Sequence, residues 1–146
     1  MQKIFACLAL VLLTATAACL AVNAPFQQCF NNPVFIPKAL DITPASPKAG
    51  DTLTALTTGQ VTTPISGGIL YADIYLSGVK LFEYSYNLCQ IAVGGCPIGT
   101  GNQAIKIQNQ IPSFAFPGTY QTVASAYLDS SKTKELACVS FNFTIA

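Results

Sequence analysis

Four cysteines, Cys29, Cys89, Cys96 and Cys138, constrain this chain more than any other feature: their number is even and their intervals run long, seven, long. Two further cysteines, Cys7 and Cys19, belong to a leader. MQKIFACLALVLLTATAACLAVNA sets Lys3 ahead of an apolar run from Ile4 to about Leu20, then small residues. That is the order of a secretory signal peptide. Cleavage is expected after Ala21, since Pro25 disfavours the other small-residue point, Ala24. Residues 1–21 then form the signal and residues 22–146 one domain of about 125 residues, enough to bury a core. An uncleaved membrane anchor is the alternative for a run this long. Against it, no basic cluster flanks the far end, and Thr14 and Thr16 weaken the centre. Thr16 also stands where a lipoprotein signal ahead of Cys19 needs an aliphatic residue.

A short secreted chain with an even cysteine count reads as a disulfide framework. Zinc sites draw on close pairs such as C-x2-C, often with histidine, and this chain has no histidine. A redox pair wants two residues between its cysteines, and here Cys89 and Cys96 enclose six. The pair is therefore a staple closing NLCQIAVGGCPIGTG, residues 87–101. By elimination Cys29 pairs with Cys138, tying the start of the domain to its end. On the loop-entropy model the short loop contributes about 2.5 kcal/mol and the long one about 5.

The segments between these fixed points read as strands. DTLTALTTGQVT from Asp51 alternates Leu53 and Ala55 with threonines, after a turn at SPKAGD. GGILYADIYLSG puts Leu70, Ala72, Ile74 and Leu76 on an apolar face, opposite Ile69, Tyr71, Asp73 and Tyr75. VKLFEYSYNL leads into the stapled loop, and NQAIKIQNQI stops at Pro112. GTYQTVASAYLDS sets Tyr120, Thr122, Ala124 and Ala126 on one face, and ELACVSFNFTIA closes the chain. Period-two segments divided by glycine and proline, without a helical period, predict an antiparallel β-sandwich of about seven strands. Two loops exceed what a packed core needs. IPSFAFPG holds Ile111, Phe114 and Phe116 between Pro112 and Pro117, either as an inward plug or as an apolar lip. The stretch from Ile91 to Gly101 carries no charge, which suits a mouth into the sandwich interior.

Composition excludes several functions. With the leader removed, six lysines balance six acids and arginine is absent, so no electrostatic footprint for nucleic acid exists. Histidine-based triads are excluded and the thiols are committed to disulfides. Asp41, Asp51, Asp73, Glu83, Asp129 and Glu135 are too dispersed to read as an acid/base pair. GG and GTG sit in turns, without the helix and lysine of a phosphate loop. The chain is expected to be no enzyme and to need no metal or cofactor. Asn142-Phe143-Thr144 satisfies the glycosylation sequon, within the last strand.

The order DITPASPKAGD, NLC, CPIG, IPSFAFPGTY and ELAC resembles the ML lipid-recognition domain family, over nearly the whole length from Cys29 onward. The resemblance implies a secreted, immunoglobulin-like sandwich whose two sheets part to hold a lipid. It also implies the same two disulfides, first with last cysteine and the middle pair together. The family includes Niemann–Pick sterol carriers and phosphatidylglycerol/phosphatidylinositol transfer proteins. The sterol carriers have a further cysteine pair where this chain has TPASPKAG, so the resemblance is nearer the phospholipid branch. Aromatics that line the pocket in the sterol carriers match Phe82 and Phe116; Ile111 and Phe114 join them as lipid contacts by their place in the same loop.

The resemblance thus implies a monomeric carrier, secreted or in the lumen of lysosomal or endosomal vesicles, that touches membranes transiently to exchange phospholipid. Sterol transport is the alternative within the fold, and a filled protein-recognition module the alternative outside it. Each buried methylene of an acyl chain contributes about 0.8 kcal/mol. No arginine is present to grip a phosphate bidentately. Lysine, backbone amides or tyrosine hydroxyls must hold the headgroup instead.

Overall fold

The computed structural model describes residues 22–146; the leader expected at 1–21 lies outside them. Nine strands and one helical turn follow in order. They are β1 (Val22–Asn23), β2 (Phe26–Gln28), β3 (Phe35–Thr43), β4 (Thr52–Val61), β5 (Ile69–Leu76), β6 (Val79–Asn87), α1 (Leu88–Ile91), β7 (Gly101–Gln110), β8 (Gly118–Tyr127) and β9 (Glu135–Ile145). The six from β4 to β9 match the segments read as strands from sequence, and β3, interrupted by Pro37 and a bulge at Lys38, brings the long strands to the expected seven. The two short ones at the start carry too few residues to show a period, and they escape sequence reading for that reason.

The strands form two antiparallel sheets, β1-β3-β4-β7 and β2-β9-β8-β5-β6. Antiparallel pairing lets each strand bury one face and wet the other. Leu70, Ala72 and Ile74 of β5 accordingly turn inward, while Asp73 sits on the outer face opposite Glu83 of β6. Only Ala24 and Pro25 separate β1 from β2, so the chain steps between sheets there, with the Ala24 amide donating to Leu40 O at 2.8 Å. This crossing closes one long side of the sandwich. On the opposite side β6 and β7 are edge strands, each hydrogen-bonded to a single neighbour.

The helical turn bridges that open side at one end only. Asn87 caps it, its side-chain oxygen accepting from the Cys89 amide at 2.9 Å. Beyond it, Val93 N donates to Ala104 O of β7 at 2.9 Å, and Ala92 pairs with Ile105. The disulfides join Cys29 to Cys138 and Cys89 to Cys96, each with Cα atoms 4.9 Å apart. Leu88, Ala92 and Ile98 of the stapled loop are buried in the main core cluster, with Ile65 pairing to Ile98. Ala92 and Ile98 of the uncharged stretch 91–101 form a floor, while Ile91 and Val93 border an open groove, so the stretch is part floor and part rim.

Buried residues form three clusters, one of them Ala24, Leu40 and Ile42 beside the β1–β2 crossing. A second centres on Leu88, Ile98 and Leu136 at the stapled end; the third joins Ile111, Tyr120 and Ile145 at the far end. Between those two ends the inward side chains of β6 and β7, with Ala124 of β8, are only partly buried, because they border empty space.

Candidate functional site

The empty space is a cavity between the sheets, about 130 Å³ when counted as room for the centres of water-sized spheres. By that measure one water needs about 10–15 Å³, so this is no packing void. Strand alternation builds its wall. Leu53, Ala55 and Thr57 come from β4, and Ile105, Ile107 and Asn109 from β7. From the other sheet, β5 adds Leu70, Ala72 and Ile74, β6 adds Phe82, Tyr84 and Tyr86, and β8 adds Tyr120, Thr122, Ala124 and Ala126. No charged side chain enters the wall. Water gains few hydrogen bonds in such a space, whereas hydrocarbon loses none.

The far end of the cavity is shaped by the 111–116 loop. Ile111 is 6% exposed and anchors it from inside, its amide donating to Asp51 O at 2.8 Å and its carbonyl accepting from Gly50 N at 3.0 Å. Pro112 and Ala115 line the wall next to Asn109 and Gln110. The Tyr120 hydroxyl donates to Phe116 O at 2.8 Å, and its ring stacks on Phe143 at 5.4 Å. The loop is therefore pinned from within, while its largest side chains point out: Phe114 is 71% and Phe116 74% exposed.

The four lipid contacts expected from sequence thus divide. Phe82 and Ile111 line the cavity. Phe114 and Phe116 stand outside its wall, which departs from the pocket role that the resemblance implies for Phe116 and the lipid contact given to Phe114. Two prolines and the Tyr120 bond turn the loop so that its aromatics face solvent. Tyr84, Tyr86, Ile105, Ile107 and Ala124 went unassigned from sequence, although the alternation in LFEYSY and AIKIQN marks their shared face. Asn142 is exposed on the outer face, opposite Gln121 of β8, away from the cavity.

Folding does bring two acids together, but outside the cavity. Lys80 Nζ lies 2.9 Å from Asp73 and 2.7 Å from Glu83. Hydrogen bonding to Lys80 holds the Glu83 carboxyl below its usual range, and the bonds to Glu83 and then Asp73 raise the Lys80 ammonium. Lys80 and Glu83 each hold the other in its charged form, as a surface ion pair does and a proton shuttle does not. Inside the wall, burial pushes the Tyr86 phenol up, with Tyr84 adding to the effect. Tyr86 therefore stays protonated and able to donate. Among the described residues no cluster of three metal-binding side chains occurs, and no helix is long and apolar enough to cross a membrane.

Comparison with known proteins places this geometry. The sequence model of the ML domain matches residues 23–145. A phosphatidylglycerol/phosphatidylinositol transfer protein of Candida albicans is 34% identical over 90 residues, covering 59% of this chain and 47% of the relative. A protein of the same name from Kluyveromyces lactis is 31% identical over 117 residues, covering 72% of this chain and 66% of the relative. The chain thus spans about half to two thirds of the length of these relatives. Among solved structures, a Niemann-Pick type C2 protein from Japanese carpenter ant superposes with a TM-score of 0.64 at 13% identity. That alignment covers 84% of this chain and 99% of the other, and it speaks for a shared fold.

Proposed function

This chain belongs to the ML domain family, and from that premise we propose that it encloses the acyl chains of a phospholipid between its two sheets and transfers the lipid between membranes. The observation that carries this reading is the uncharged, apolar cavity running between the two end clusters. The names of the fungal relatives support phospholipid as the cargo. Residues 22–146 are the lipid-binding domain, and residues 1–21 direct the chain to a secretory route. Two disulfides agree with an oxidising compartment outside the cell or in a vesicle lumen. The activity is binding and transfer, without covalent chemistry.

Mass spectrometry of an organic extract of the purified protein tests the cargo. A phospholipid near one per protein is the expected result. A sterol would move the protein to the other branch of the family. No lipid, even after incubation with vesicles, would sink the carrier reading and favour a module that recognises protein.

Transfer also requires the cavity to meet a bilayer. Phe114 and Phe116 stand exposed beside the Ile111 lip, where insertion removes both rings from water, worth about 1.5–3 kcal/mol each at full burial. Replacing both with serine is expected to slow exchange between vesicles at least tenfold. The thermal midpoint should stay within a few degrees, because neither ring packs in the core. Unchanged exchange would remove the loop from the membrane contact.

A further inference from the structure

We propose that the groove beside Tyr86 on the open long side of the sandwich is a subsite for the phosphodiester of an anionic phospholipid, held by Lys106. This deepens the carrier reading and rests on it. The groove is lined by Tyr86, Gln90, Ile91, Ala92, Val93, Lys106 and Gln108. Tyr86 belongs to two walls at once, that of the groove and that of the oily cavity. A lipid whose chains lie between the sheets can therefore pass its polar end out past one side chain. The cavity wall itself offers a headgroup nothing charged.

The placement follows from the topology. β6 and β7 are the edges of their sheets on the side that the β1–β2 crossing does not close. The stapled loop joins them only as far as the bonds from Val93 to Ala104 and from Ala92 to Ile105. Lys106 is the next residue of β7, so the groove begins where that closure ends. Gln90 contributes an amide and Tyr86 a phenol that can donate, while the Gln108 amide, whose nitrogen donates to Thr54 Oγ1 at 3.2 Å, has a second N–H to offer. These groups complete a phosphate shell that a chain without arginine must build from other donors.

The other described lysines are placed elsewhere or already engaged. Lys80 bridges Asp73 and Glu83, and Lys132 lies 4.0 Å from the centre of the Tyr71 ring. Lys48 is exposed in the β3–β4 turn beside Asp51, whose carboxylate accepts from the Lys48 backbone amide at 2.9 Å. Lys38 is exposed at the β3 bulge and Lys134 precedes β9 in the β8–β9 loop. Lys106 makes no ion pair among the described residues, and it lines a space that shares Tyr86 with the cavity wall.

The test loads the protein from vesicles containing equal amounts of phosphatidylglycerol and phosphatidylcholine with identical acyl chains, then quantifies both lipids in the extracted protein. Wild-type protein should prefer phosphatidylglycerol, and Lys106→Gln should reduce that preference about threefold, the scale of one solvated ion pair. Lys106→Glu should reverse the preference, and Lys134→Gln should keep it. An unchanged ratio in Lys106→Gln, with both lipids still loaded, would overturn the subsite and leave the carrier reading standing. A wild-type protein that loads neither lipid would overturn both. A second arm follows the Lys106 amide by NMR during titration with inorganic phosphate. A headgroup subsite binds phosphate in lipid-free protein and loses that binding once phosphatidylglycerol is loaded. Undiminished phosphate binding in the loaded protein would assign the groove to free phosphate and overturn its role in lipid selection.

Discussion

Ala124→Phe is expected to weaken lipid capture by on the order of a hundredfold while the protein stays folded. Ala124 lies midway along β8, paired with Ala72 on β5 and Val139 on β9, and its methyl group borders the cavity. A phenyl ring built there occupies space that several methylenes of a lipid would fill. Losing four of them at about 0.8 kcal/mol each gives the stated factor. In most cores such a change overpacks and costs about 1–3 kcal/mol. Here the ring enters a void, so the unfolding midpoint should hold steady or rise. Lipid per protein after vesicle loading, read beside a thermal melt, separates the two effects. Wild-type loading in this variant would show that the chains lie elsewhere.

The second large effect concerns the fold. Replacing Cys29 and Cys138 with alanine is expected to cost about 5 kcal/mol, since their bond closes a loop of 109 residues. For a domain of this size that lowers the thermal midpoint by roughly 20 °C. The same change at Cys89 and Cys96, seven residues apart, should cost about half as much. Urea unfolding of the two double variants measures the difference. Equal losses would show that local packing, with Leu88 and Ile98 held on the core by the short loop, outweighs chain entropy there.

Legibility in the sequence depended on whether local pattern or distant contact decided the matter. The strands β4 to β9 were readable because each runs eight residues or more between turn signals, whereas Pro37 and the bulge after it hid β3. β1 and β2 were not, being two and three residues long and held by β3 and β9. The one-turn α1 was hidden too, because four residues fix no period and Asn87 alone signals its start. The apolar stretch after Ile91 was visible, but its meaning was not. Which of its residues turn inward was set by the pairing of Ile98 with Ile65, a contact that composition does not encode. Phe82 and Ile111 could be connected to the cavity through the family resemblance and the 111–116 loop. The direction of Phe114 and Phe116 depended on a bond from Tyr120, four residues beyond the second of them. Lys106 looked like any solvated lysine until β6 was set across from β7.

The two long sides of the sandwich are unequal, and the inequality has a mechanical consequence. Along one side the polypeptide itself passes from sheet to sheet, like the spine of a book. Along the other, past the stapled loop, β6 and β7 belong to different pages. Spreading those pages ruptures no ladder within either sheet, so the girth of the slot is not fixed by backbone bonding. A thin cargo and a thick one can be gripped by the same scaffold, each setting its own width.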